Sequence, residues 1–420
     1  MEPTGQKTLL HFVVKAIQGL FCAAMGAILI LVFVFESTEH YLKKEYPFPN
    51  WALLILGLFF AMLGYMFFYG RMVFFTRHFS QSMQAKIKKW FIAIASILLF
   101  CVQMIIASNI MFQTGWDAYV VFTFAYETVN LNPPDYTHYF SMYPNNLFIT
   151  WFYTVIIRLY KMVSSTFTMP GALFSLIIVN SIISCVTGVL VFRITTQLTR
   201  KKLWGFAAWC VYAVVIGLSP WFLIPYSDAV GILFPVLMLY LYLRPNTPEP
   251  LRWSLIGLFA YIGYQMKPSV AIALIAIAGI QTVSALRRGN AWKRTILSAS
   301  SLLSTFVLLH LCFTMLIVPS LNLSLNKQIT VGPIHFVKMG LNNQTDGVYL
   351  DEDVLFSGSF GTKEEQNAAN IEVIQKRLDD FGFKGYLEFL TRKGLVNFNN
   401  GSFAWADEGT FYYDLYNKTS

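Results

Sequence analysis

One acidic stretch between long apolar segments carries most of the residues that could do chemistry. Residues 113–146 read QTGWDAYVVFTFAYETVNLNPPDYTHYFSMYPNN and contain one histidine and many aromatic side chains, but no Lys or Arg. The acids of this stretch are Asp117, Glu127 and Asp135. Across residues 47–247 the only other acid is Asp228. Because carboxylates are so scarce in this part of the chain, their concentration here predicts a site.

The chemistry open to these residue types is acid–base catalysis at a sugar or phosphate. A carboxylate can act as general base toward a hydroxyl group, aromatic faces can stack on sugar rings, and Lys or Arg can hold a departing phosphate. We predict Asp117 as the catalytic base. The predicted substrate-binding residues are Tyr226, Asp228, Lys267, Glu127, Asp135, His138, Tyr143 and Arg158. Together these parts suit transfer of a sugar from a lipid-phosphate donor.

Each candidate also has a structural interpretation. Asp117 and Asp228 could cap helices, and Lys267 could extend its ammonium to the lipid headgroups. Glu127 and Asp135 could be solvated acids, and His138 could form hydrogen bonds within the loop. Tyr143 could anchor the membrane interface, and Arg158 could contact lipid headgroups. No Walker A sequence, glycine-rich dinucleotide turn, HExxH or paired-cysteine motif occurs, so the sequence predicts no cofactor and gives a divalent metal no paired-acid motif.

Bulk composition indicates a helical membrane protein. The 420 residues are 56% hydrophobic and 13% charged, and apolar runs near twenty residues recur along the chain. Such runs match helices that cross a hydrocarbon core of roughly 30 Å, and because they do not alternate they do not suit a barrel. The net charge of +9 is divided between a basic membrane part and an acidic tail, which does not indicate nucleic acid.

The apolar pattern predicts an all-α polytopic protein with nine transmembrane helices. Their predicted ranges are Leu9–Phe35, Trp51–Phe75, Trp90–Phe112, Gly171–Arg193, Leu203–Pro220, Tyr226–Leu243, Ser254–Met266, Ser269–Leu286 and Thr295–Val318. Residues 146–162 are predicted to lie along the outer surface as an interfacial helix. This arrangement puts 17 Lys and Arg inside and 5 outside, whereas a crossing at 146–162 gives 10 inside and 12 outside. The positive-inside rule favours the first arrangement, with a cytoplasmic amino terminus.

The sequence divides into three predicted regions. Residues 1–89 form a helix pair with a basic cytoplasmic loop, and residues 90–319 form the membrane core with the catalytic outer loop 113–146. Residues 320–420 form a mixed extracytoplasmic domain, which contains 9 Lys and Arg and 13 Asp and Glu. Within that domain Glu364–Phe381 reads as an amphipathic helix that ends at Gly382, and a second helix is expected at Gly385–Lys393.

Several short motifs resemble the GT-C superfamily of polytopic glycosyltransferases, which includes protein mannosyltransferases and lipid A aminoarabinose transferases. The motifs lie in the order GWDAYVV, YPNNLFITWFY and RITTQLTRKK. PYSDAVGILF looks like the Pro-Tyr-Ser/Thr-acid turn of the related GPI mannosyltransferases, and YQMKPSVAI is similar to a Lys/Arg-Pro turn near the donor phosphate. GSFAWADEG, at residues 401–409, resembles a stretch of Gram-positive members.

The resemblance implies a bacterial cell-membrane enzyme with an extracytoplasmic active site. Its donor would be a polyprenyl-phosphate sugar, and its acceptor a cell-envelope glycan, lipid or protein. Asp117 lies in the second predicted outer loop, where relatives have their acid in the first, and Ala118 replaces the second acid of some relatives. This departure favours an inverting mechanism with a single base and no metal. A flippase for lipid-linked saccharides and a non-catalytic membrane scaffold are the alternatives.

Overall fold

The computed structural model describes residues 4–34, 49–78, 81–244, 246–287 and 292–398, and these residues form helices joined by turns, with no strand among them. The α-helices are α1 Thr4–Val34, α2 Asn50–His78, α3 Gln81–Ile110, α4 Trp116–Val129, α5 Thr137–Met142, α6 Leu147–Val163, α7 Met169–Thr199, α8 Lys202–Tyr212, α9 Ser227–Gly231, α10 Leu233–Tyr242, α11 Glu249–Met266, α12 Ala271–Arg287, α13 Trp292–Cys312, α14 Val318–Ser320, α15 Pro333–Gly340, α16 Asp351–Gly358 and α17 Lys363–Phe398. The predicted all-α class is therefore confirmed. The GSFAWADEG motif lies outside the described residues.

Six helices within the described ranges are long and apolar enough to cross a membrane. Their apolar segments are Phe12–Val34, Trp51–Arg71, Trp90–Ile110, Met169–Thr199, Pro268–Ala285 and Lys293–Ser320. Two further apolar segments, Lys202–Gly217 and Ser227–Tyr242, are shorter. At 1.5 Å per residue, a helix of about 16 residues reaches only roughly 24 Å of a 30 Å core. The multi-pass membrane character is confirmed, and nine crossings remain a prediction.

The described residues fall into two compact units. One comprises those within Met1–Phe74 and Asn326–Glu408, and the other those within Phe75–Leu325. In the second unit the core is formed by side chains of α4, α6, α7, α10 and α11. Its largest fully buried side chains include Phe122 and Phe124 of α4 and Tyr153 of α6, and these two helices pack against each other.

The predicted outer loop 113–146 is not a loop along its whole length. Its first half forms the 14-residue helix α4, and its second half contains the short helix α5 and a 3₁₀ turn at Pro144–Asn146. Residues 116–129 lack Pro and Gly, and the buried Val121 and Phe122 supply an apolar face that packs into the core. The loop interpretation was wrong for residues 116–129, because the turn-forming Gly115 lies before them and Pro133, Pro134 and Pro144 lie after them. The predicted interfacial helix corresponds to α6.

The buried side-chain amide of Gln103, on α3, forms a hydrogen bond with the irregular end of the neighbouring helix α8. Helix α8 continues into a π-helical turn at Ala213–Gly217. The Gln103 side chain of α3 is fully buried, and its Nε2 donates to the Gly217 carbonyl at 2.6 Å. In a membrane interior a carbonyl without a partner is unfavourable, so Gln103 stabilises the end of this helix.

The part of the first unit that follows residue 326 consists of α15, α16 and α17. The helical backbone of α17 is interrupted at Gly382, where φ is +55°. This left-handed conformation is accessible to glycine, and it confirms Gly382 as the break between the two predicted helices. The three helices enclose a buried network around Lys338 and Asp353.

Candidate functional site

The Asp117 carboxylate is held by two tyrosine hydroxyls from distant parts of the chain. Asp117 lies in the first turn of α4, directly after Trp116, whose φ of +52° is unusual for a bulky residue. The Tyr139 hydroxyl donates to Oδ1 of Asp117 at 2.6 Å, and the Tyr226 hydroxyl donates to Oδ2 at 3.0 Å. Both carboxylate oxygens therefore accept a hydrogen bond from a neutral donor, and these two bonds fix the orientation of the carboxylate.

Asn146 closes this arrangement into a ring. Its Nδ2 donates to the Tyr139 hydroxyl at 2.6 Å, and its Oδ1 lies 3.3 Å from the Tyr226 hydroxyl. Asn146 is almost fully buried at the junction of the 3₁₀ turn and α6. The ring thus joins Asp117 on α4, Tyr139 on α5 and Tyr226 before α9 through one buried amide.

Both tyrosines remain hydrogen-bond donors over the physiological pH range. Burial raises the pKa of Tyr139, and the adjacent negative charge of Asp117 raises it further. Tyr226 is partly buried and donates to the same carboxylate. Because a tyrosinate beside this carboxylate is unfavourable, the hydroxyl groups stay protonated and orient Asp117.

An ion pair lies next to the ring. The Lys267 ammonium donates to the Asp228 carboxylate, which follows Tyr226 by two residues. Helix α11 ends at Met266, Lys267 is extended, and a 3₁₀ turn at Pro268–Val270 leads into α12. The predicted break at Lys267 is confirmed. The two side chains are 37% and 45% exposed for Lys267 and Asp228, so the pair is accessible to a ligand.

The turn that carries Tyr226 is fixed by a second buried amide. Asn180, on α7, is 2% exposed. Its Nδ2 donates to the carbonyls of Ile224 at 3.2 Å and Phe222 at 3.5 Å. These carbonyls precede Tyr226, and the Ile224 carbonyl also accepts from the Tyr226 amide at 2.9 Å, so the Asn180 amide and the turn backbone share this acceptor. Asn180 therefore acts as a positioning residue for Tyr226.

The structure brings four predicted site residues together, places Tyr143 beside them, and gives the other four no contact with Asp117 or Lys267 among the described residues. Asp117, Tyr226, Asp228 and Lys267 share one site, and the Tyr143 ring lies 5.3 Å from the Tyr139 ring at its edge. Of the other four, Glu127 accepts a hydrogen bond from Asn130, and Asp135 accepts one from the Thr137 amide. His138 and Arg158 are exposed. Their predicted roles stay predictions.

Three positioning residues are absent from the predicted site residues, namely Tyr139, Asn146 and Asn180. In the sequence Asn146 appears only as part of YPNN, and Asn180 lies within an apolar span. For these two, the one available signal was an amide in a segment where polar groups are unfavourable unless they are paired. Lys161, on α6, donates to the Val129 carbonyl at 2.8 Å and so caps α4.

The donor set of this site suits hydroxyl and phosphate groups. Within the described parts of the chain, no three His, Cys, Asp or Glu side chains are grouped closely enough to hold a metal ion. What the site offers is one carboxylate held by hydroxyl groups and one ammonium held by a second carboxylate. Such a set can accept a proton from a hydroxyl and bind an anionic oxygen.

The helices and their apolar segments define an integral membrane protein that crosses the bilayer several times. The chain belongs to the family of conserved hypothetical integral membrane proteins, whose family model matches residues 9–420. No curated protein and no solved structure matches it. The family description names no glycosyltransferase, so the GT-C resemblance has no support from these comparisons.

Proposed function

We propose that this protein is a membrane glycosyltransferase that moves a sugar from a polyprenyl-phosphate donor to a hydroxyl group of an extracytoplasmic acceptor. The observation that carries the proposal is the oriented carboxylate of Asp117, with two hydroxyl donors at 2.6 Å and 3.0 Å, beside the Lys267–Asp228 pair. A base for the acceptor and a cation for the phosphate are the two groups that such a transfer needs.

Asp117 acts as the general base in this proposal. Each carboxylate oxygen has a further lone pair that is not used by Tyr139 or Tyr226. As the acceptor hydroxyl oxygen forms a bond to the anomeric carbon, its proton passes to Asp117. The bond from the anomeric carbon to the phosphate oxygen breaks at the same time, and the phosphate leaves with the electron pair. A single displacement inverts the anomeric centre.

Lys267 binds the departing phosphate. Its ammonium has three N–H donors, of which Asp228 engages one, so the remaining donors can bind phosphate oxygens. The extended backbone of Lys267 between α11 and the following 3₁₀ turn presents the side chain beside the end of a helix. Asp228 orients the ammonium before the donor binds. Charge that develops on the phosphate is thereby stabilised.

Product formation by the purified protein tests the proposal. The full chain is incubated in lipid nanodiscs with a set of defined polyprenyl-phosphate sugars and cell-envelope acceptors, with and without a chelator, and the acceptor is analysed by mass spectrometry. We expect a glycosylated acceptor and release of polyprenyl phosphate in both conditions. Movement of labelled lipid-linked saccharide across a vesicle membrane, with no new glycosidic bond, would instead identify a flippase.

A further inference from the structure

A cavity of about 820 Å³, with both polar and apolar lining residues, lies at the other end of the helices that carry the Asp228–Lys267 pair. Helix α10 ends at Tyr242, fourteen residues after Asp228, which corresponds to roughly 21 Å of helix. The cavity is formed by the turn after α10, the start of α11, the end of α12 and the start of α13. The candidate active site therefore does not include it.

Two arginines of the cavity lie near the same carboxylate, that of Glu249, but neither forms a hydrogen bond with it. Glu249 Oε1 lies 3.8 Å from Arg252 Nη2, and Glu249 Oε2 lies 4.0 Å from Arg294 Nε. Both distances are too long for hydrogen bonds. The hydrogen bond that Glu249 does accept comes from the Ser298 hydroxyl at 3.1 Å. Among the described residues, the guanidinium groups therefore keep donors that can bind another anion.

Arg252 has a buried donor that the rest of the described chain leaves unused. Its Nη1 donates to the Arg244 carbonyl at 3.3 Å, whereas its Nε is buried and has no acceptor among the described residues. A buried unpaired donor is unfavourable, and for a charged group the penalty is larger. An anionic oxygen in the cavity would remove this penalty.

The charge balance and the remaining lining groups also favour an anion. Two arginines against Glu249 leave one positive charge, and the amino-terminal ends of α11 and α13, which carry partial positive charge, line the same cavity. The neutral lining includes Asn246, Gln281 and Ser284, whose amide and hydroxyl groups can bond ester oxygens. The volume is in the range of small-molecule sites, roughly 300–1,000 Å³.

We infer that this cavity binds a phosphate ester, with Arg252 and Arg294 as its anion ligands. Basic pockets between membrane helices suit phospholipid headgroups, and a soluble phosphate ester has the same recognised group. The cavity lies at the end of the bundle that the charge distribution predicts to be cytoplasmic. This inference does not depend on the proposed sugar transfer, because it involves none of the residues around Asp117.

Binding to the full-length protein in neutral detergent tests the inference. Phosphatidylglycerol is added, and retained lipid is counted by native mass spectrometry. In a second arm, glycerol 1-phosphate is titrated in lipid-free micelles, and the midpoint of thermal unfolding is recorded. The variants are Arg252→Gln, Arg294→Gln and Arg252→Lys, with Lys202→Gln as the control because Lys202 is exposed and does not line the cavity. Circular dichroism and size-exclusion chromatography first establish that each variant is folded.

We expect the wild-type protein to bind at least one of the two compounds, and each Gln variant to bind it roughly tenfold more weakly, as loss of a charge-assisted hydrogen bond predicts. Arg252→Lys should bind with intermediate affinity, and Lys202→Gln should match the wild type. Retention of the lipid alone identifies a headgroup, and binding of glycerol 1-phosphate identifies a soluble source. The inference is overturned if neither compound binds, or if the Arg variants lose no more affinity than Lys202→Gln.

Discussion

Two lysine–aspartate pairs of this chain differ in their access to water. The side chains of Lys267 and Asp228 are 37% and 45% exposed, whereas those of Lys338 and Asp353 are 0% and 6% exposed. The exposed pair involves one contact between its members, at the edge of the candidate site. The buried pair lies among α15, α16 and α17.

The buried pair is completed by partners that the exposed pair lacks. Lys338 donates to the Asp353 carbonyl at 2.7 Å and to the Ser357 hydroxyl at 2.9 Å. Asp353 accepts from Arg377 at 2.9 Å and from Asn342 at 2.9 Å. With its donors used inside the protein, this lysine cannot bind a ligand. The comparison indicates that the buried network stabilises its helices, whereas Lys267 has donors left for a substrate.

The pKa values in the buried network reflect this environment. Burial lowers the pKa of Lys338 to about 8, and the Asp353 charge offsets part of that effect. Burial alone would raise the pKa of Asp353, but hydrogen bonds from Arg377 and Asn342 and the nearby positive charges leave it below its usual value. The network therefore depends on a charged Asp353.

The largest expected difference between the two pairs is in stability. We expect Asp353→Asn to destabilise α15–α17 by about 3–5 kcal/mol, because it leaves buried cations without their carboxylate. Asp228→Asn, in the exposed pair, should change stability by about 1 kcal/mol or less. Amide hydrogen exchange of both variants, read separately in α15–α16 and in α9–α10, measures the two effects. Equal effects would contradict the distinction between the pairs.

A second prediction concerns the pH dependence of the buried network. Burial and the adjacent Lys338 charge lower the pKa of His335 to about 4, while an unfolded histidine titrates near 6.5. Between these values the unfolded state binds more protons, so stability falls by up to about 3 kcal/mol as the pH falls through this window. Hydrogen exchange in α15 at several pH values should show this loss, His335→Gln should reduce it, and the exposed His138→Gln should leave it unchanged.

Removing the cation of the exposed pair should weaken donor binding. We expect Lys267→Gln to raise the KM for the polyprenyl-phosphate sugar roughly tenfold to a hundredfold, which corresponds to a hydrogen bond from a charged group. The folded state should be little affected, since Lys267 is partly exposed. Steady-state kinetics of the variant and of the distant Lys202→Gln control measure this effect. An unchanged KM for Lys267→Gln would remove its proposed role.

The smallest expected effect concerns the hydroxyl groups that orient Asp117. Tyr226→Phe and Tyr139→Phe should each lower the transfer rate roughly tenfold, because each removes one hydrogen bond to the carboxylate but keeps the ring. Tyr119→Phe, at an exposed position of α4, is the matched control. If all three variants have the same rate, the ring of hydrogen bonds has no part in catalysis.

The sequence predicted the elements that depend on local pattern. Apolar runs near twenty residues located the long helices, and Pro268 and Gly382 marked the two breaks at which the structure leaves helical geometry. It also placed Asp117, Tyr226, Asp228 and Lys267 among the site residues. The small number of charged residues in the apolar part of the chain was the useful signal for the site. A charged residue there is unfavourable without a partner.

Features that depend on distant contacts were not predictable. Helix α4 was read as part of a loop, because its aromatic face is buried only when α6 packs against it. Asn146 reaches Tyr226 across 80 residues, and Asn180 reaches Ile224 across 44. An amide side chain has no pattern in the sequence that specifies which backbone or hydroxyl group it will bind. The number of crossings stays open for a similar reason, as short apolar helices depend on their neighbours.

The proposed role of Asp117 as the base for sugar transfer is tested by the Asp117→Asn variant. The transfer rate and the thermal unfolding midpoint are measured on the same preparations of wild-type and variant protein. We predict a loss of roughly 10²–10⁴-fold in rate, as removal of a general base predicts, with little change in the midpoint. If the variant transfers sugar at the wild-type rate, Asp117 is not the base.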